Sequence, residues 1–400
     1  MTAAAVLRQA LALALGAAVS LGLARFSYAL LLGPMRADLG WSYFTAGAMN
    51  TGNAAGYLLG ALLMPRALAR FGPRPTALAG GLVTAALLAL HGVAVSDAAL
   101  MALRVGAGAA SAATFVAGGL LAARLGSQAA AAPAGQRLPG AGLVLGLYYG
   151  GTGLGIIVSS FLVPAFLQDG VAHGWQPAWQ ALGVVALAMT GLMALGTPPD
   201  APPPAAAGAA AAAPWRQLGW ALAGYFCFGL GYIGYMTFII SLLREQRLGE
   251  GAITGFYVLL GLGVVASSWL WAGVLQRWRG GQPLALLNGL LAVATLLPVL
   301  SPHALAVYGS GALFGAVFLS VVASTTALVR HNLPAAAWPR GITGFTIVFA
   351  VGQIIGPSVV GRIADGPGGL ARGLAISAGL LALGSLLAAL QRPLSRQDQR

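Results

Sequence analysis

The chain has 400 residues, of which 58% are hydrophobic and only 7% are charged. Soluble globular proteins usually contain about 25% charged residues, so this composition excludes that class and predicts an integral membrane protein. The net charge is +13. A nucleic-acid partner is one explanation for such a charge, but the positions of the basic residues along the chain, described below, favour membrane topology instead.

Twelve apolar segments are long enough to cross a membrane, which takes about 17 to 25 residues in a helix. They lie near residues 10–33, 45–64, 76–95, 99–123, 142–167, 179–196, 217–241, 252–274, 283–301, 304–329, 341–363 and 370–390. A cleavable signal peptide is an alternative for the first segment, because Arg8 precedes an alanine-rich stretch. We set it aside because the apolar run continues past any plausible cleavage site. The sequence therefore predicts an all-α polytopic membrane protein with twelve transmembrane helices.

A low-complexity segment separates six of these spans from the other six. Thr197 to Pro214 reads "TPPDAPPPAAAGAAAAAP", which offers no apolar face for packing. We predict two six-helix halves, residues 1–196 and 216–400, joined by a cytoplasmic Pro/Ala-rich linker at 197–215. Proline-rich chain favours the extended polyproline II conformation, so the linker is expected to be partly stiff.

An internal repeat supports the two halves. The stretch "GLARFSY" at 22–28 matches "GLGYIGY" at 229–235 at an offset of 207, with Arg25 exchanged for Tyr232. Three glycine pairs lie at similar offsets: Gly72 and Gly280, Gly108 and Gly315, and Gly150 and Gly356. Two copies that run in the same direction are related by an axis along the membrane normal, an arrangement typical of secondary transporters. The halves are therefore predicted to be pseudo-symmetric.

Arginine residues cluster in alternate loops, and most acids lie in the others. The arginine-rich loops hold Arg66, Arg70, Arg74, Arg124, Arg137, Arg216, Arg277, Arg279, Arg330 and Arg340, and the tail holds Arg392, Arg396 and Arg400. By the positive-inside rule these loops are cytoplasmic, and an even number of spans places both termini there. We expect a multi-pass protein of a bacterial inner membrane.

Two arginines fall inside apolar segments, Arg25 in the first and Arg104 in the fourth. A buried arginine costs about 2.5 to 3.5 kcal/mol on insertion scales and normally faces a partner or a wet cavity. Tyr28 and Ser111 follow these arginines at helical spacing and share their faces. Structural roles are the alternatives: Arg104 could bond to carbonyls at a span end, and Arg25 could extend towards the membrane surface.

The distribution of acids favours an anionic substrate. None of the eight acidic residues lies in the central part of a predicted span, whereas a pump for cations or protons needs a carboxylate there. A guanidinium group presents a planar fork of donors that suits carboxylate or phosphate. Arg25, Tyr28, Arg104 and Ser111 are therefore candidate substrate-binding residues. The repeat adds Tyr232 and Tyr235 of the seventh span as an opposite wall.

Together with "ARFSY" at 24–28, "GYIGY" at 231–235 and the Arg104/Gly108 pair of span four, one loop and two further spans carry motifs that resemble those of the major facilitator superfamily, most closely its YbfB/YjiJ branch. The second loop holds Arg70, Gly72 and Arg74 of the family pattern, but Pro65 and Ala69 replace its glycine and aspartate. Span five holds Gly146 and Gly150 of an antiporter pattern, and span eleven holds Gly352, Gly356 and Pro357. The resemblance implies that these residues serve gating between the halves. Close packing of helices is the alternative for the glycines.

The resemblance also implies that spans 1, 4, 7 and 10 line a central cavity. We expect a secondary active transporter that moves a small organic anion across the inner membrane by alternating access. A proton-coupled exporter of hydrophobic or amphipathic compounds is the alternative, and a non-transporting scaffold or sensor is a third reading. Without a membrane carboxylate, transport is expected to proceed by anion exchange or with a proton on the substrate's acid group.

An enzyme is not expected. The sequence shows no Ser/His/Asp set, no His/Cys cluster at metal-ligand spacing and no phosphate loop after a strand. We therefore expect no metal, no cofactor and no nucleic-acid partner. The expected partners are a small-molecule substrate, the lipid bilayer and, as an option, protons, for a chain that works as a monomer.

Overall fold

The computed structural model describes residues 2–131, 138–168, 170–199 and 214–394. Within them the chain forms twelve helical rods, which we label α1 to α12. These are Ala3–Leu39, Tyr43–Phe71, Pro73–His91, Asp97–Ala130, Ala141–Phe166, Gln176–Gly196, Gly219–Glu245, Glu250–Arg277, Gln282–Leu300, Ala304–Asn332, Trp338–Ala364 and Gly369–Ala389. The part of α1 from Ala18 to Phe26 is a π-helix, and α8 is interrupted at Trp271.

Each predicted span coincides with one rod, which confirms the all-α membrane fold. Among the described residues, eleven rods are long and apolar enough to cross a membrane. The exception is α2, whose 29 residues include Asn50, Asn53 and two arginines, Arg66 and Arg70. These polar side chains lower its hydropathy, although its length is ample for a span at about 1.5 Å per residue.

The helices group into two compact units. Unit 1 comprises Met1–Trp41, Gly52–Pro203 and Glu250–Val265, and unit 2 comprises Ser42–Thr51, Pro204–Gly249 and Ala266–Arg400. Two helices are thus divided: α2 begins in unit 2 and continues in unit 1, while α8 begins in unit 1 and continues in unit 2. Residues 200–213, most of the predicted linker, lie outside the described residues.

The same helix pairs pack in both units. In unit 1, α3 packs on α4 and α6, and α1 packs on α5 and α6. In unit 2, α9 packs on α10 and α12, and α7 packs on α11 and α12. Each pair in unit 2 has the counterpart that the sequence repeat predicts.

The repeat offset changes along the chain, which corrects one of the glycine matches. The starts of α2 and α8, Tyr43 and Glu250, differ by 250 − 43 = 207, but those of α5 and α11, Ala141 and Trp338, differ by 338 − 141 = 197. The connection before α5 is longer than the one before α11, so the offset falls there. The match of Gly150 with Gly356 at 206 is therefore wrong as an equivalence of position.

Candidate functional site

Arg25 lies in the π-helical part of α1. It is only 4% exposed, so its side chain lies inside the protein. Its guanidinium carbon is 5.8 Å from the centre of the Tyr57 ring on α2, within range of a cation–π interaction. The wider π turn is confirmed by the bond from the Ser27 amide to the Gly22 carbonyl, five residues back, at 3.1 Å.

Arg104 reaches α1 from α4. Its Nη1 atom donates to the Ala24 carbonyl at 3.1 Å, and the residue is 1% exposed. The structural alternative for Arg104 was a bond to backbone carbonyls at the end of a span. The observed acceptor is a backbone carbonyl, but it lies in the middle of α1. Ala24 is the residue before Arg25, so Arg104 bonds to the backbone beside the other arginine. The structure thus brings both arginines to one part of unit 1.

Tyr28 and Ser111 are in the same region. The Tyr28 ring is 4.5 Å from the Arg104 guanidinium carbon, and it is buried. The Ser111 hydroxyl donates to the Gly108 carbonyl at 2.9 Å, and the Ser111 carbonyl accepts from the Ser20 hydroxyl at 2.7 Å. Tyr28 therefore contacts an arginine, whereas Ser111 joins α4 to α1.

A second aromatic residue, missed in the sequence, lies beside Arg104. The Trp179 ring of α6 is 5.9 Å from the Arg104 guanidinium carbon, and the His91 ring stacks on Trp179 at 4.4 Å. Neither Trp179 nor His91 is at helical spacing from an arginine, so no local pattern pointed to them. Tyr28 and Trp179 thus place two aromatic rings beside the Arg104 guanidinium group, which suits a buried cation.

Tyr232 and Tyr235 are in unit 2, within a column of aromatic rings on α7, α10 and α11. Tyr232 stacks on Phe228 at 4.7 Å and lies 5.5 Å from Phe349, with nearly parallel ring planes. Tyr235 stacks on Phe314 at 4.0 Å, and its hydroxyl bonds to the Ser310 hydroxyl at 2.6 Å. Both tyrosines are buried, and Phe318 and Phe314, whose rings are tilted by 30° to each other, connect their two stacks.

The acids that the structure describes all lie at helix ends. In unit 1, Asp38 bonds to His173 and Trp175, and Asp97 accepts from the Trp41 indole at 2.8 Å. In unit 2, Asp365 accepts from the backbone amides of Tyr43 and Phe44, and Glu245 accepts from the Tyr43 hydroxyl. Glu250 begins α8. Among the described residues, the acids thus lie away from the middle of the helices that carry Arg25 and Arg104.

The loop motif between α2 and α3 binds the end of a neighbouring helix. Gly72 has φ +77°, a conformation that favours glycine. Arg74 donates to the Ala194 carbonyl at 2.9 Å and to the Thr197 carbonyl at 3.1 Å, at the C-terminal end of α6. The Arg70 guanidinium lies 5.3 Å from the Phe71 ring. Arg74 thus supplies donors and positive charge where a helix end needs both.

Of the motif glycines, the two on α11 lie at close helix contacts. In unit 1, Gly146 is buried and Gly150 faces Val265 of α8, with room for a Cβ at 3.7 Å. In unit 2, a Cβ on Gly352 would meet the Phe226 carbonyl at 2.8 Å, and one on Gly356 the Leu230 carbonyl at 2.7 Å. Gly352 and Gly356 therefore face α7, while the Pro357 backbone lies against Gly47 of α2.

A family model described as the uncharacterised MFS-type transporter YbfB matches residues 17–389. The chain belongs to this family. It is accordingly a multi-pass membrane transporter of the major facilitator type, a class of secondary transporters, and both family and fold point to a transporter rather than an enzyme. A search of curated protein sequences found no significant match.

Solved structures support the same fold. A bacterial homologue of the human lysosomal transporter Spinster, in an inward-facing and unoccupied conformation, is 14% identical with a TM-score of 0.68, and 96% of each chain is covered. The D323A mutant of the nucleoside transporter NupG is 11% identical with a TM-score of 0.70, covering 95% of this chain and 99% of NupG. At such identities the likeness concerns the fold.

Tyr257 is a further residue of this region that sequence reasoning missed. Its hydroxyl, on α8, donates to the Phe26 carbonyl of α1 at 2.6 Å. The repeat offset of 207 pairs Tyr257 with Asn50 of α2, whose amide donates to the Thr237 hydroxyl of α7 at 2.7 Å. Both are polar residues in spans, and both bond to the first helix of the other predicted half. That shared offset was the signal that could have found Tyr257.

Proposed function

We propose that this transporter moves a small organic anion and that Arg25 supplies the main counter-charge. The observation that carries the proposal is the concentration of positive charge at one place in unit 1. Arg25 and Arg104 are both buried there, and the described acids lie at helix ends instead. A bound anion would be attracted by both guanidinium groups. Burial strengthens this attraction because it lowers the local dielectric constant.

The roles of the two arginines differ in this proposal. Arg104 already donates to a backbone carbonyl and is surrounded by Tyr28 and Trp179. Arg25 has Tyr57 beside it at 5.8 Å, on the face of an aromatic ring. The repeat pairs Arg25 with Tyr232 of α7, so the fold itself does not require a cation at this position. For that reason Arg25 is the cation proposed to contact the substrate, and Arg104 assists through its charge. Transport then proceeds by anion exchange or with a proton carried on the substrate.

A screen of organic acids by thermal unfolding of the purified protein first selects the ligand, since a ligand stabilises the folded state by RT ln(1 + [L]/Kd). The test is then uptake and counterflow of the acid that gives the largest shift, measured in proteoliposomes. Arg25→Ala should abolish transport without loss of folding. Arg25→Lys keeps the charge but loses the planar fork, so the half-saturating concentration should rise about tenfold or more, because a charge-assisted hydrogen bond contributes about 1.5–3 kcal/mol.

A matched control lies in the same helix. Arg8 is exposed near the start of α1, so Arg8→Ala removes the same side chain away from the proposed site and should transport normally. Full activity of Arg25→Ala would refute the site. Strict exchange of protons for a cationic compound by the wild-type protein would refute the anionic substrate.

Export of hydrophobic or amphipathic compounds is the second candidate, and the aromatic column of unit 2 favours it. Its rings are nearly parallel, with 8° between Phe228 and Phe349 and 10° between Tyr232 and Phe318. A planar lipophilic compound could stack on such faces. Transport of a neutral aromatic compound, unaffected in Arg25→Ala but lost in Tyr232→Leu, would select this function over anion transport.

A further inference from the structure

The π-helical segment of α1, Ala18–Phe26, is unusual in its length. It contains nine residues, whereas most π-helical regions are single turns inside α-helices and often mark functional sites. In a π-helix each backbone amide bonds to the carbonyl five residues back, instead of four residues back as in an α-helix. If the π turn shifts along α1 by one residue, each residue that it passes changes direction by about 100°, since an α-helix has 3.6 residues per turn. The position of the π segment along α1 therefore determines the direction in which the Arg25 side chain points.

Side chains from two other helices bind the backbone on both sides of Arg25. The Ala24 carbonyl accepts from Arg104 of α4 at 3.1 Å, and the Phe26 carbonyl accepts from Tyr257 of α8 at 2.6 Å. Within α1, the Ser27 hydroxyl donates to the Leu23 carbonyl at 2.5 Å. Three of the carbonyls from Leu23 to Phe26 thus have side-chain donors, which compensates for the altered backbone bonding of a π turn.

The π segment also contacts α5, at Gly22. A Cβ on Gly22 would meet the Cα atom of Gly155 at 2.5 Å, and the Thr152 carbonyl at 2.9 Å. The backbones of α1 and α5 therefore touch at this point, and the segment has no room to move towards α5. The donors of α4 and α8 hold it from other directions.

We propose that Tyr257, with Arg104, is a positioning residue that holds the π segment in register and thereby aims Arg25. Tyr257 is fully buried and lies 231 residues from Phe26 along the chain. It belongs to the second six-helix half predicted from the sequence, so movement of α8 during transport would remove the donor from Phe26. The direction of Arg25 would then depend on the transport state. This last step depends on the proposed role of Arg25 in anion binding.

Tyr257→Phe removes the hydroxyl group and keeps the ring. Tyr148→Phe is the matched control, because the Tyr148 hydroxyl also donates from a buried ring to a helix carbonyl, that of Phe115, at 2.5 Å. Both variants lose one buried hydrogen bond in unit 1. Of these two tyrosines, Tyr257 is the one whose hydroxyl bonds next to Arg25, so its loss and not that of the Tyr148 hydroxyl should affect the π segment.

Two readouts require no substrate. Amide hydrogen exchange should become about 2- to 10-fold faster across residues 18–31 in Tyr257→Phe, the factor that corresponds to one net hydrogen bond. The rate at which phenylglyoxal, an arginine-specific reagent, modifies Arg25 should change by a similar factor. Tyr148→Phe should leave both quantities at their wild-type values.

Equal exchange across residues 18–31 and equal Arg25 modification in wild type, Tyr257→Phe and Tyr148→Phe would overturn the positioning role. If Tyr257→Phe does not fold, Arg104→Lys is measured in the same way, since it keeps the charge and alters the bond to Ala24. These readouts are independent of transport. Loss of the proposed anion site, shown by full activity of Arg25→Ala, is therefore distinguishable from failure of this inference.

Discussion

At the scale of single residues, the arginine region of unit 1 is built from contacts between helices. An arginine in an apolar span stands out by its insertion cost, and Arg25 and Arg104 are both buried. The partners of Arg104, namely Trp179 and the Ala24 carbonyl, come from other helices. Helical spacing predicts neighbours on one helix only, so these contacts required the three-dimensional structure.

Gly155 gives a prediction at this scale. A Cβ there would meet the Gly22 Cα atom at 2.8 Å, and backbone cannot move aside as a flexible side chain can. Gly155→Ala should therefore lower the free energy of unfolding by about 1–3 kcal/mol through overpacking. The measurement is the midpoint of thermal unfolding in detergent.

The control for Gly155 is Gly191 on α6, where a Cβ would meet nothing within 4 Å. Gly191→Ala should be neutral or slightly stabilising, by at most about 1 kcal/mol, because alanine is the better helix former. Equal unfolding midpoints for the two variants would show that α1 and α5 are not in close contact at Gly155.

At the scale of secondary structure, the sequence located every described helix but not the π-helical part of α1. Apolar length and loop charge are sufficient to place spans. A π turn depends on donors that satisfy its carbonyls, and those of Arg104 and Tyr257 lie 80 and 231 residues away from their acceptors. No local pattern in "GLARFSY" encodes them.

The start of α2 gives a prediction at this scale. Ser42 accepts from the Thr45 amide at 3.1 Å, while Asp365 accepts from the amides of Tyr43 and Phe44 at 2.7 and 2.9 Å. The free amides of the first turn are thus capped by two residues, one of them 322 positions away. Asp365→Ala should lower the free energy of unfolding by about 0.5–2 kcal/mol, the usual value of a cap.

Asp365→Asn tests whether the acceptor or the charge is responsible. An asparagine retains one acceptor oxygen and caps helices about as well as aspartate, so it should lose less stability than Asp365→Ala. The comparison uses thermal unfolding of the two variants and the wild type in detergent. An unchanged midpoint in Asp365→Ala would contradict the capping role.

At the scale of the whole molecule, the sequence repeat predicted which helices pack together in each unit. The residue offset between equivalent helices was predicted only in part. Between helix starts the offset is 207 for α2, 209 for α3 and 207 for α4, and it falls to 197 at α5 and to 193 at α6. Matching glycines alone cannot detect such a change in a chain that contains 59 of them. Connection lengths are free to vary in evolution, whereas packed helices are not.

The membrane topology gives the last prediction, and α2 is its critical element. Because α2 carries Asn50 and Asn53, it is the least apolar rod, but both side chains donate hydrogen bonds inside the protein. We therefore expect α2 to span the membrane as the other helices do. Single cysteines at Phe71, Glu250 and Arg400 test this in a Cys227→Ser background, since Cys227 is the one native cysteine. Phe71 is 60% exposed, and Arg400 lies outside the described residues.

A membrane-impermeant maleimide added to whole cells should label the cysteine at Glu250 and leave those at Phe71 and Arg400 unlabelled until the cells are broken. The arginine-rich loops would then be cytoplasmic, as the positive-inside rule requires. If α2 did not cross the membrane, every later loop would be inverted. The cysteines at Phe71 and Arg400 would then be labelled in intact cells and the one at Glu250 protected, and that pattern would refute both the twelve-span topology and the cytoplasmic position of the C-terminus.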